Sequence, residues 1–396
     1  MGSAQTTILT VNSGSSSIKL VLFSAETLKR ILEISVANIG QRNAMITLET
    51  TPNQKHTQDI QADNHEEAIV AMLDRIADQL SPDELLAIGH RIVHGGQKYD
   101  KPIAITAGVV ENLKHIAPFD PEHMKTAIGL INTFRHRFPQ TTQVACFDTA
   151  FYKNMPPVAR LLPLPRKFEA LGLRRYGFHG LSYEYLLQRF RERAGGTAMN
   201  GRVILAHLGS GASLTAVKNG KPLDTTMSFT PASGVPMSTR AGDLDPGIVA
   251  FLHERTGMTI EEFNHMVHFE SGLLGISGTS ADMELLIRES THSQHAADAV
   301  NLFCYQIRKT IGSFAAVLGG LDSLIFAGGM GENAPIIREN VCEGLEYLGI
   351  KLDAQRNMNH EFLISGDDST VGVHVIHTDE AAVIAERTRQ IIEREG

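Results

Sequence analysis

One pattern occurs twice in this chain and constrains its fold more than any other feature. The runs ILTVNSGSSSIKLVLF and VILAHLGSGASLTAVKNG each read as strand, Gly/Ser turn, strand. Apolar, β-branched residues on both sides of a Gly/Ser cluster signal a hairpin. Asn12-Ser13-Gly14-Ser15 in the first copy answers His207-Leu208-Gly209-Ser210-Gly211 in the second. Each hairpin heads a similarly ordered half, which points to internal duplication.

After the first hairpin, Arg30–Val36 and Ala44–Leu48 read as strands. Ile69, Met72, Leu73, Ile76 and Leu80 then fall at helical spacing, with Asn64 and Glu67 placed for a capping box. A strand over Leu85–Val93, a helix over Thr126–Phe138 and a strand over Gln143–Phe147 complete this half. In the second half, helices are expected around Asp245–Thr256, Ser280–Glu289 and Ala296–Leu318. They are followed by a strand at Ser323–Phe326, a helix over Ala334–Leu348, a strand at Gly372–His377 and a helix over Glu380–Arg394. A meander followed by alternating helix and strand is an α/β arrangement, a mixed sheet with helices packed against it. A length of 396 residues exceeds one ordinary core. The expected domains are 1–150 and 151–380, with the last helix (about 381–396) folding back onto the first.

The formal charge of −8 opposes overall attraction to nucleic acid or anionic membrane, so neither is expected as a partner. No apolar run reaches membrane-spanning length, and no charged-then-apolar leader is seen. Cys146, Cys304 and Cys342 have no paired spacing, as expected of free thiols in a reducing compartment. The expected location is the cytoplasm.

Gly/Ser turns let backbone N–H groups and hydroxyls approach phosphate oxygens closely. Asn12, Ser13, Ser15, Ser16 and Lys19 suit one phosphate end; for either turn alone an ordinary tight turn is the better reading, and the occurrence of two such turns shifts the balance. A third Gly-rich element, AGGMGEN, follows an apolar strand and precedes a helix with Pro335 in its first turn. Such a turn can receive a nucleotide or simply join strand to helix. It is neither a Walker A motif nor a dinucleotide fingerprint. Arg91 in IGHRIVHGG and Arg240 in MSTRAGDLDPG carry guanidinium groups that can grip carboxylate or phosphate through paired hydrogen bonds. Asp148 ends a strand, where an open α/β sheet places site carboxylates, or it caps a helix. His179 in RRYGFHG is a second polar candidate or a core histidine. The pairs His90/His94 and His265/His268 have metal-like spacing, but the first lies in a strand and the second lacks a third ligand.

Taken together, VNSGSSSIK, IGHRIVHGG, FDTAF, RRYGFHG, HLGSGAS, FTPASGVPMSTRAGDLDPG, SGLLGISGTSADM, GGMGEN and HTDEAAVIA resemble the acetate kinase family. That family lies within the acetate and sugar kinase, heat-shock protein 70 and actin superfamily. The resemblance implies duplicated ribonuclease-H-like (actin-like ATPase) domains with an interdomain cleft, and a homodimer. It implies reversible transfer of the ATP γ-phosphoryl group to acetate, giving acetyl phosphate and ADP, with Mg²⁺ or alternatively Mn²⁺. Asn12 and Glu380 would hold the metal. Lys19 and His207, Leu208, Gly209, Ser210 and Gly211 would meet the phosphates. Asp282, Met283 and Glu284 with Gly329, Met330, Gly331, Glu332 and Asn333 would line the adenosine pocket. Arg91, Arg240, His179 and Asp148 would be catalytic, and Arg91, Val93, Phe119, Phe178 and Pro231 would bind the acid. Propionate or butyrate as acceptor, pyrophosphate as donor, or a catalytically silent nucleotide sensor are the alternatives.

Four departures stand out. Where the family usually reads Leu-Ala-Pro-Leu-His-Asn-Pro, this chain has Ile116-Ala117-Pro118-Phe119-Asp120-Pro121, so an active-site His is expected to appear as Asp120. Ser210 replaces an Asn, Tyr183 replaces a second His, and Ala381 stands where Glu often follows Glu380.

Overall fold

The computed structural model describes residues 6–14, 16–50, 54–80, 83–196 and 200–395; Ser15 of the first turn lies outside the described residues. The chain divides into two compact units, Met1–Lys153 with Asp379–Gly396, and Asn154–Thr378.

The first unit contains β1 (Thr7–Ser13), β2 (Ile18–Ser24), β3 (Arg30–Ala37), β4 (Met45–Thr50), β5 (Gln54–Asp59), β6 (Leu85–Ile92), β7 (Ile103–Ala104) and β8 (Thr142–Phe147). They lie in the order β5-β4-β3-β2-β1-β6-β8-β7. β1 to β5 form an antiparallel meander, whereas β6 runs parallel to β1 and β8 parallel to β6. The second unit contains β9 (Arg202–Leu208), β10 (Ala212–Lys218), β11 (Lys221–Thr225), β12 (Ser323–Ala327) and β13 (Gly372–Val375), ordered β11-β10-β9-β12-β13. Here too three antiparallel strands are continued by two parallel ones. The centre of the first sheet and the whole of the second therefore share one topology, the ribonuclease-H-like order implied by the resemblance.

Alternation along β1 builds both faces of the first sheet. Leu9 and Val11 join a core with Leu20, Ile34, Met72 and Phe134, under the helices His65–Arg75 and Pro121–Arg137. Ile8 points the other way and packs with Phe23, Ala381 and Ala385, so the helix Glu380–Glu395 covers the opposite face.

Several elements differ from the sequence expectation. β5 is exposed at every position and so has no apolar alternation to reveal it. The helices Ala107–Ile116, capped by Thr106, and Gly180–Ala194 were not anticipated. The helix expected from Thr126 starts at Pro121, because Asp120 caps it and proline suits the first helical position. The helix expected over Ala334–Leu348 stops at Cys342, and Gly344 in left-handed geometry separates it from a short turn at Glu346–Leu348. Asn64 does cap its helix, but Glu67 reaches back to the backbone N–H of Asp63. Among the described residues, no helix is long and apolar enough to cross a membrane.

Candidate active site

In the first unit, three parallel neighbours deliver polar residues at or beside their carboxyl ends. These are Asn12 in β1, Arg91 in β6 and Asp148 directly after β8. In open α/β sheets this is where ligands gather. The Asp148 carboxylate is fully buried and receives three hydrogen bonds from Arg91, two from Nε at 3.1 and 3.2 Å and one from Nη2 at 2.7 Å. Arg91 Nη1 donates to Asn12 Oδ1 at 3.0 Å and lies 3.4 Å from Glu380 Oε2. Asn12 Nδ2 in turn donates to Glu380 Oε2 at 2.6 Å. Burial opposes the charge on Arg91, but Asp148 and Glu380 outweigh it and hold the guanidinium protonated. Burial likewise pushes the Asp148 carboxyl upward, against the pull of Arg91.

Asn12 and Glu380 offer an amide oxygen and a carboxylate, hard donors that suit Mg²⁺ held mainly through water and phosphate oxygens. Among the described residues, no group of three or more His, Cys, Asp or Glu side chains could hold an ion by itself. Lys19 is half exposed and pairs with Glu33 of β3 at 2.6 Å. Val93 is buried, and Phe119 presents a ring edge to His94 at 5.2 Å between centroids. Asp120 is buried, caps the helix Pro121–Arg137, and contacts His123 Nδ1 at 2.9 Å; its charge also supports that of Arg91.

The second unit assembles its candidates around the β9–β10 turn. His179 sits in left-handed geometry (φ +58°) ahead of the helix Gly180–Ala194. Its Nδ1 is 2.9 Å from Ser213 Oγ, which also meets the Tyr183 hydroxyl at 2.5 Å. The His179 ring stacks on His207 with centroids 4.3 Å apart. Ser182 Oγ lies 2.8 Å from both His207 Nδ1 and Thr378 Oγ1. Arg240 Nη1 donates to the carbonyl of Pro231 at 2.8 Å. A Cβ on Gly211 would stand 3.2 Å from His179 Nε2 and 3.4 Å from Arg240 Nη2. Glycine thus keeps the turn bare where a ring nitrogen and a guanidinium converge.

The third Gly-rich element abuts the same turn. A Cβ on Gly209 would lie 3.6 Å from the Gly329 nitrogen, and Gly328 (φ +76°) passes too near Leu208 for any side chain. Gly329 and Asn333 are exposed, whereas Gly331 is buried. Glu332 faces inward: its Oε1 accepts from the N–H groups of Gly328 and Thr378, and its Oε2 meets His377 Nδ1 at 2.7 Å. Its carboxylate is therefore a brace of the loop. The Asp282 carboxylate caps the helix Met283–Glu289; Met283 is buried and Glu284 exposed. Phe178 and Pro231, expected to wall the acid, are buried.

Sequence reasoning missed Ser182, Ser213 and Thr378, which hold the two histidines and the loop. All three lie inside or beside motif blocks, but polar residues of this size carry no signal until their partners are known.

The family model described as "Acetokinase family" matches residues 7–386. A relative named acetate kinase from Rhodopseudomonas palustris (strain TIE-1) is 40% identical over 385 residues, covering 96% of each chain. One named propionate kinase from Citrobacter rodentium is 38% identical over 389 residues, covering 97% of this chain and 96% of the relative. The crystal structure of a propionate kinase from Francisella tularensis superposes with a TM-score of 0.91 at 33% identity, covering 98% of this chain and all of that one. A match along nearly the whole length, with the same two-sheet architecture, makes this chain a member of the acetokinase family, a short-chain fatty acid kinase.

Proposed function

We propose that this chain transfers the γ-phosphoryl group of ATP reversibly to acetate, giving acetyl phosphate and ADP. The observation that supports this best is the convergence of His179 Nε2 and Arg240 Nη2 on the bare backbone at Gly211. An acetate oxygen attacks phosphorus as the bond from phosphorus to the departing ADP oxygen breaks. Acetate is already ionised at neutral pH, so the difficulty is bringing two anions together and holding them in line. Arg91, Arg240 and His179 oppose the charge that gathers there. Both Asp148 oxygens are occupied by Arg91, which suits an orienting carboxylate better than a proton acceptor.

The His207–Gly211 turn, with Lys19, takes the phosphates; Asp282–Glu284 and Gly329–Asn333 take the nucleoside, largely through backbone where their side chains are turned inward. Mg²⁺, or Mn²⁺ in its place, neutralises phosphate charge when bound, and Asn12 and Glu380 are its protein oxygens. Val93, Phe119, Phe178 and Pro231 wall the methyl group. Relatives carry both the acetate and the propionate name, and the bulk of Phe119 inclines the reading to acetate. Three buried, unbridged cysteines suit a cytoplasmic protein, and exposed Phe251, Ile260 and Tyr305 suit a homodimer.

The test is acyl phosphate formation, trapped as hydroxamate, with Mg²⁺ and either ATP or pyrophosphate, across formate to butyrate. ATP with acetate should give the highest kcat/KM. A faster reaction with propionate would move the assignment to propionate kinase. No product with any acid and either donor would leave only a nucleotide-binding sensor.

A further inference from the structure

Arg338, on the helix Pro335–Cys342, is completely buried, yet among the described residues no carboxylate pairs with it. Its hydrogen bonds go to neutral oxygens. Nε donates to Asn357 Oδ1 at 2.7 Å, and Nη2 to the Asn357 carbonyl at 2.7 Å. Nη1 donates to the carbonyls of Gly331 and Glu332, each at 2.9 Å. Burial lowers the pKa of Arg338 to about 10, which leaves the group charged at neutral pH. A buried charge without a counter-ion is expensive unless hydrogen bonds surround it, and here the oxygens of Asn357, Gly331 and Glu332 supply them.

What it fixes is the far end of the Gly-rich loop. Gly328–Asn333 forms a single short helical segment, and the last carbonyls of any helix lack partners within it. Arg338 takes two of them, and a cation at that end also suits the helix dipole. His360 adds a third tie. Its Nδ1 lies 2.8 Å from the Glu332 carbonyl, which can only accept, so the proton is on Nδ1. The 3.3 Å approach of Arg338 Nη2 to that same nitrogen is then a close neighbour and not a hydrogen bond. The opposite end is held by the Glu332 carboxylate on the Gly328 N–H.

We infer that Arg338, through its planar fork on Gly331, Glu332 and Asn357, is a positioning residue that sets the nucleotide affinity of the Gly329–Asn333 loop. This rests on the assignment of that loop to the nucleotide. Lysine keeps the charge but cannot reproduce the fork.

The experiment titrates a fluorescent ADP against wild type, R338K and H360N, with KM for acetate and kcat measured alongside. Asparagine tolerates the left-handed backbone of His360 (φ +52°) while losing the ring. Loss of one charge-assisted hydrogen bond is worth about a tenfold change in affinity. R338K should therefore bind ADP about tenfold or more weakly, and H360N should shift the same way by about two- to threefold, with KM for acetate unchanged. A merely structural role would lower kcat through lost active protein and leave the dissociation constant alone. If R338K does not fold, H360N decides. Wild-type ADP affinity in the folded variants overturns this inference alone; a wild type that binds no ADP overturns the nucleotide assignment as well.

Discussion

Replacing Arg91 by alanine tests the first unit's polar cluster through stability as well as activity. The substitution removes three hydrogen bonds from a carboxylate with no solvent access and leaves its charge without an adjacent cation. At about 4 Å between charges and an effective dielectric near 20, the lost attraction is ~4 kcal/mol. Breaking buried pairs by removing one partner costs ~3–5 kcal/mol, which agrees. For a domain of about 150–250 residues each kcal/mol moves Tm by about 2–4 °C, so a fall of roughly 6–20 °C is expected. The fall should depend on pH. Asp148 already has its pKa raised by burial, and without Arg91 it rises further. An acid whose pKa is higher folded than unfolded keeps its proton longer in the native state. Stability is therefore lost as pH rises above the unfolded value of about 4. Scanning calorimetry should show the gap between R91A and wild type widening as pH rises through the range in which the buried Asp148 carboxyl gives up its proton. Adding Asp148→Asn should close most of that gap and restore no turnover. An R91A protein that melts with wild type, or a gap indifferent to pH, would refute the argument.

Phe119→Ala should raise kcat/KM for butyrate relative to acetate, since each methylene refused by a packed wall is worth ~1–3 kcal/mol; an unchanged chain-length series would take Phe119 out of the acid pocket. His179→Asn keeps a residue tolerant of positive φ but removes the ring nitrogen beside Gly211, so kcat should fall about 10²–10³-fold with little change in Tm, as for loss of one transition-state donor. Burial pushes the Cys304 and Cys342 thiols up to about 12, so a thiol reagent near neutral pH should label them only after denaturant is added.

The duplicated meander was legible because hairpins are local: their strands, turns and periodicity sit in one window of sequence. The Gly-rich elements and site arginines were legible as residues in motifs, but their partners were not. Nothing in FDTAF says that both oxygens of Asp148 go to Arg91, because that pairing depends on the neighbouring places of β6 and β8. Glu332 shows the same limit from the other side. Its place within GGMGEN suggested a ligand contact, whereas the fold turns its carboxylate onto the Gly328 and Thr378 N–H groups. Read against the usual Leu-Ala-Pro-Leu-His-Asn-Pro, Asp120 stands as the counterpart of a histidine. In the structure, Asp120 caps a helix whose first residue is Pro121, the role an Asn or Asp before proline fills. Whichever family position it answers to, Asp120 serves this fold as a helix cap.

The first unit takes in residues up to Lys153 and from Asp379 onward, with the second unit's entire length between them. Helix Glu380–Glu395 lies so close to β6 that a Cβ on Gly89 would collide with Thr388 and Ile384. On the ribosome, this has a consequence for order. The sheet of the first unit is translated early but waits, with one face uncovered, until the second unit has emerged and had time to fold. Glu380 arrives with the covering helix, so the same docking event that buries the waiting face also brings the carboxylate to Asn12 and Arg91. An interrupted chain is then both aggregation-prone and without its full polar cluster, and activity appears only once the unit can close.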